Sequence, residues 1–92
     1  MNYTISKLLE KKINKIRIKN KTQALILNKK MQEIILSDTD TIEHYKNLKF
    51  PMQNQKRVYI DSSFVLTFEF DQNKDLIIFV DFDHHDKIYK RK

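Results

Sequence analysis

The chemistry this sequence could do is concentrated near its C-terminal end, in Asp81, Asp83, His84, His85, Asp86, Lys87 and Tyr89. Histidine has an ordinary pKa near 6.5, so it can take and give protons at neutral pH. Carboxylates beside it favour the imidazolium. A second set lies upstream, Lys56, Arg57 and Tyr59. Arg57 and Tyr59 are two residues apart, so on a strand they share a face. Arginine can grip a phosphate with two parallel hydrogen bonds, and tyrosine can stack on a base. Lys49 and Lys87 add cations on either side. Each set also has a plainer reading. The first could be a solvated, charge-rich tail after a strand, and the second an exposed edge-strand face.

Other chemistries fit less well. Asp81, Asp83, His84, His85 and Asp86 are hard or borderline metal ligands, but neighbours on an extended strand point apart. Only Glu43 and His44 could supply ligands from elsewhere, so no metal is expected. Ser62 and Ser63 fall in a turn and pair with no histidine. The chain has no glycine, which removes the phosphate-cradling loop, the dinucleotide fingerprint and the glycine nucleophile elbow. No cofactor is expected. With no cysteine there is neither a disulfide nor a thiolate nucleophile.

The elements that must position these residues can be read from patterning. Met1 to Ile5 is β-branched and aromatic, a short first strand. Ser6 can cap a helix that carries Glu10 in its early turns and Leu9, Ile13 and Ile16 as its apolar stripe, with lysines on the other faces. Thr22 is the expected cap of a second helix whose one face holds Ala24, Leu27, Met31, Ile34 and Ile35. A connection this short makes the pair an antiparallel hairpin. Residues 37–41 end the second helix with turn formers. From Thr41 to Gln55 no regular element is legible, although Tyr45, Leu48 and Phe50 read as apolar anchors, and Pro51 argues against a central strand.

Three strands follow. Lys56 to Ile60 is the first, and 61–63 is a turn. Phe64 to Phe70 alternates Phe64, Leu66, Phe68 and Phe70 against Val65, Thr67 and Glu69, the pattern of a half-buried strand. After a turn at 71–75, Leu76 to Phe82 is continuously apolar, as a central strand would be. Short turns make an antiparallel meander. The expected fold is α+β, with two helices laid on one face of a twisted sheet of about four strands. Leu9, Ile13, Ile16, Leu27, Met31 and Ile34 should pack on Phe68, Phe70, Ile78 and Val80. The phenylalanine stripe reads as core packing.

Ninety-two residues are expected to form one domain, residues 1–92. The net charge is +6 and the pI about 9.6, a balance that suits polyanions or an acidic protein partner. Lys7, Glu10, Lys11 and Lys12 interrupt any early apolar run, and no stretch approaches the roughly 18 apolar residues of a membrane span. A cytoplasmic protein without a membrane partner is expected.

In this order of elements the chain resembles the RelE/ParE superfamily of toxins from type II toxin–antitoxin systems, over nearly its whole length. Arg57-Val58-Tyr59-Ile60 takes the place of the family's basic strand. Phe64-Val65-Leu66-Thr67-Phe68 takes the place of its aromatic-arginine strand, and His84-His85-Asp86-Lys87-Ile88-Tyr89 that of its ending. Asp83-His84-His85-Asp86-Lys87-Ile88-Tyr89 is similar to the ending of archaeal RelE-like members. The resemblance implies a metal-independent endoribonuclease that cuts mRNA on the ribosome and inhibits translation. It also implies a small RelB-like antitoxin that wraps the toxin in a heteromeric complex. By position it implies Arg57, His84 and Tyr89 as catalytic residues, with His85 standing at a substituted position as a further catalytic candidate, and Lys49, Lys56, Tyr59 and Lys87 as RNA-binding ones. The sequence departs from the family at Val65 and His85, where arginines are usual, and at Lys46, near which some members place a catalytic glutamate. A ParE-like toxin that blocks a protein target, or a degenerate antitoxin-binding relative, are the alternatives.

Overall fold

Ser6 starts the fold. Its hydroxyl accepts the backbone N–H of Leu9 at 3.1 Å and donates to the Val80 carbonyl at 2.6 Å, so one side chain both caps a helix and pins it to the sheet. In this computed structural model, which describes residues 1–90, the order is β1 (Asn2–Ile5), α1 (Lys7–Lys19), α2 (Lys21–Ile35), α3 (Thr39–His44), β2 (Lys56–Tyr59), β3 (Phe64–Asp71), β4 (Leu76–His84) and α4 (His85–Tyr89). The cap of α2 is Asn20 rather than Thr22. Its side chain accepts the Gln23 N–H at 3.0 Å, and Thr22 is already inside the helix. Asparagine caps as well as threonine or better, so the hairpin closes two residues earlier. The short helix α3 was not legible in the sequence. Asp38 caps it by accepting the Thr41 N–H at 2.9 Å, which also holds the Asp38 carboxyl below its ordinary pKa.

The sheet runs β1-β4-β3-β2. β2, β3 and β4 form the expected antiparallel meander, and β1 joins β4 in parallel, so the sheet is mixed. Asp61 closes the β2–β3 turn by accepting the N–H groups of Ser63 and Phe64, and these bonds lower its pKa, the Ser63 bond most. At the β3–β4 turn Asp75 takes a positive φ of 51°. In a chain without glycine, aspartate is among the few residues that accept that conformation.

α1 and α2 lie on one sheet face. Leu9, Leu27, Met31 and Ile34 are buried there against Leu66, Phe68, Ile77, Phe79 and Phe82, with Ile13, Ile16 and Phe70 packed around them. The sheet partners Ile78 and Val80 are therefore corrected to Ile77 and Phe79. A continuous apolar run carries no alternation from which to choose a face. The register explains the rest. Thr67 pairs with Asp81 but Phe68 pairs with Phe79, a bulge that leaves Val80 unopposed. Phe79 and Phe82, three apart, then both reach the helices, while Val80 and Asp81 line the far side with Leu48, Met52 and Ile88. That far side is the second correction. β3 is not half-buried, because Val65, Leu66, Thr67 and Phe68 are all inaccessible. Leu48 and Ile88 cover Val65 from the segment before β2 and from α4.

Beyond Phe79 the edge of β4 has lost its β1 partner, and α1 crosses it. There Lys12, one of the lysines expected on the other faces of α1, puts its ammonium 2.7 Å from Asp81 Oδ1 and 2.9 Å from Asp83 Oδ2. Burial opposes ionisation of Asp83, but the Lys12 hydrogen bond and the His84 N–H outweigh it and lower its pKa. A lowered carboxyl pKa contributes stability above the ordinary value of 3.8, and that stability is lost as pH falls through the folded value. Lys12→Met is expected to cost about 1–3 kcal/mol in urea unfolding at neutral pH, since it removes one charged hydrogen-bond partner of the buried Asp81 carboxylate. A loss under about 1 kcal/mol would mean the pair is solvent-screened and unimportant.

Candidate functional site

β2 and α4 bring together the residues that the sequence separates by some thirty positions. Arg57 and Tyr59 lie on one face of β2, as their spacing requires. Tyr89 closes on them from α4, its hydroxyl 3.2 Å from that of Tyr59. The Arg57 guanidinium carbon stands 5.8 Å from the Tyr59 ring centre and 5.9 Å from that of Tyr89. Two ring faces thus hold one permanent cation. Burial, then the Tyr59 hydrogen bond, raise the Tyr89 pKa above its ordinary 10.0, so its phenol stays neutral and able to donate. The Arg57 N–H donates to the Lys46 carbonyl at 2.8 Å and Leu48 N–H to Gln55 O at 2.8 Å, which folds residues 46–55 back along β2. That segment forms the other wall of a surface pocket of about 610 Å³, lined by Asn47, Leu48, Lys49, Phe50 and Met52 with Arg57, Tyr59 and Tyr89.

The histidines stand at its margin. His84 and His85 stack with ring centres 4.4 Å apart. His85 is 6.5 Å from the Tyr59 ring and 6.3 Å from that of Tyr89, and its Nδ1 lies 3.1 Å from Asp86 Oδ1. The Ser63 carbonyl fixes its backbone N–H at 2.8 Å. His84 has another task. Its Nδ1 accepts the Asp86 N–H at 3.2 Å and so caps α4, a bond that uses the Nδ1 lone pair. His84 also packs edge-on against Phe64. The two histidines are thereby differentiated. His85 adjoins the tyrosines, whereas His84 starts the helix that presents Tyr89; Asp86 lies near both rings, 3.1 Å from His85 Nδ1 and 3.7 Å from His84 Nδ1.

The remaining residues divide. Lys49 lines the pocket and is exposed. Lys56 does not reach it, because its ammonium donates to the carbonyls of Glu43 and Tyr45 and to Asn47 Oδ1 at 3.4, 3.1 and 3.1 Å. Lys87 is exposed on α4 and is not part of the pocket wall. Asp81 and Asp83 pair with Lys12, and Asp83 also accepts the His84 backbone N–H at 2.8 Å. Of the five side chains weighed as metal ligands, His84, His85 and Asp86 keep their donor atoms within 4.8 Å of one another. His44 is elsewhere, its Nδ1 2.6 Å from the Asp40 carbonyl. Phe50 is the residue sequence reading misplaced. Taken as an apolar anchor, it is 80% exposed at the pocket. Its position between Lys49 and Pro51 in a polar segment was the available signal.

No family model matches the chain. It is 49% identical over 84 residues to a Methanocaldococcus jannaschii protein that carries the name toxin RelE4, covering 91% of this chain and 85% of that protein. A Methanosarcina mazei protein without a functional description is 44% identical over 81 residues, 88% of this chain and 90% of its own. Among solved structures, YafQ from E. coli strain BL21(DE3) superposes with a TM-score of 0.76 at 12% identity, covering 96% of this chain and 97% of that one. A YoeB/ParE toxin from Agrobacterium tumefaciens gives 0.72 at 8%, covering 92% and 99%. These two likenesses establish the shared α+β fold.

Proposed function

The chain belongs to the RelE-like toxins of toxin–antitoxin systems, and from that premise we propose that it acts as a single domain, residues 1–92, that cuts mRNA on the ribosome in the cytoplasm without a metal. The observation that supports this most is the convergence of Arg57, Tyr59 and Tyr89 in one pocket, with His85 beside the two tyrosine rings though outside the pocket lining. Cleavage of this kind needs the ribose 2′-OH deprotonated for attack on the adjacent phosphorus. The phosphorane charge must be stabilised and the departing 5′-oxygen protonated, which leaves a cyclic phosphate and a 5′-OH. In this reading Arg57 stabilises the charge, with Lys49 as the second cation of the pocket, since Lys56 is engaged elsewhere. His85 moves the protons, Asp86 orients it, and Tyr89 positions the phosphate or a base. His84 acts through α4.

One observation favours the reading in which the toxin blocks a protein target without cutting RNA. Val65, where the family's strand arginine would fall, is fully buried against Leu48 and Ile88, so that position has become core.

The partner proposed is a small acidic or amphipathic antitoxin. The net charge of +6 and the exposed Ile18, Leu25 and Leu36 on and beside α1 and α2 suit such a segment. Production of the toxin alone should arrest growth and shorten ribosome-bound mRNA. Co-expression with a small acidic RelB-like antitoxin should relieve both, and the two should co-purify at moderate salt. Growth arrest with intact mRNA would move the protein-target reading ahead.

A further inference from the structure

We propose that Phe50 is a stacking platform that, with Tyr59 of the same pocket, receives one unpaired base of the RNA strand; the inference rests on the RNA-cleaving reading above. The other five phenylalanines are buried or packed against the core, whereas Phe50 is left 80% exposed. An isolated exposed aromatic is unremarkable, but this one lies at a pocket rather than on a convex surface. Tyr59, 40% exposed, and Tyr89 supply further ring surface there, and Arg57 and Lys49 supply charge. Aromatic faces interleaved with cations bind single-stranded nucleic acid, the rings taking bases and the cations taking phosphates. The volume of about 610 Å³ falls within the range of about 300–1,000 Å³ typical of ligand pockets. The occupant is thus a nucleotide with its base extruded, and purines, with the larger ring face, should be favoured.

The test is a fluorescence titration with a short 2′-O-methyl RNA carrying 2-aminopurine, which binds but lacks the attacking hydroxyl. The parent should quench the probe. Phe50→Ala should weaken binding about tenfold or more, the scale of one lost base-stacking contact, while Phe50→Trp should bind at least as tightly as the parent. Phe50→Ala should unfold with the parent's midpoint, since so little of the side chain is buried. If Phe50→Ala binds the probe as the parent does while the parent cuts mRNA, the platform is wrong and the nuclease reading stands. If the parent neither binds the probe nor cuts, both are overturned. If Phe50→Ala spares RNA binding but loses the antitoxin, the pocket is a protein-docking site and the proposal falls.

Discussion

Replacing Arg57 with alanine is expected to slow single-turnover mRNA cleavage by a hundredfold or more, the scale of one lost charge-stabilising donor. Arg57 is the pocket's arginine, and its guanidinium stands over two tyrosine rings, with no carboxylate paired to it among the described residues. Pairing with an acid would spend its charge in the ground state. A cation held by ring faces keeps its N–H donors available for the oxygens of the phosphorane. Arg57→Lys should recover only part of the rate, because an ammonium cannot make the planar two-bond grip. Folding should survive, since the side chain is only half-buried and its backbone bond to Lys46 is independent of the side chain. A drop of less than about fivefold would show that the phosphate is held elsewhere.

His85→Ala is expected to cost a similar factor, within the range of about 10²–10⁴ for general acid–base groups. His85 adjoins both tyrosines and has Asp86 at its Nδ1, which leaves Nε2 for the substrate. Added imidazole should restore part of the lost rate, a readout that a purely structural role would leave unmoved. His84→Ala separates the two histidines. It removes the α4 cap and should lower stability by about 0.5–2 kcal/mol while slowing cleavage less than His85→Ala. Equal losses from both would return the proton-moving role to the pair.

What could be read in advance follows from how local each signal is. Ser6, the Leu9-Ile13-Ile16 stripe and the Leu27-Met31-Ile34 face are encoded within one or two turns, and they appear as expected. Arg57 and Tyr59 share a face because period two is a backbone property. The register was beyond reach. The bulge at Thr67/Phe68 that exchanges Ile78 and Val80 for Ile77 and Phe79 is a relation between two strands, invisible in either. For the same reason Lys12 read only as one of the lysines off the apolar stripe and Asp81 looked chemical, although the two pair across 69 positions. The site was legible as types and unreadable as geometry. Nothing in the sequence separated Lys49, which lines the pocket, from Lys56, which is tied to backbone carbonyls, or His85 from the helix-capping His84.

The central claim is that Arg57 and His85 make this pocket a nuclease centre, and single-turnover cleavage of a defined mRNA on programmed ribosomes tests it most directly. The parent should cut, and the double variant Arg57→Ala, His85→Ala should leave the message intact while still binding antitoxin. A double variant that cuts mRNA and arrests growth as well as the parent would contradict the account.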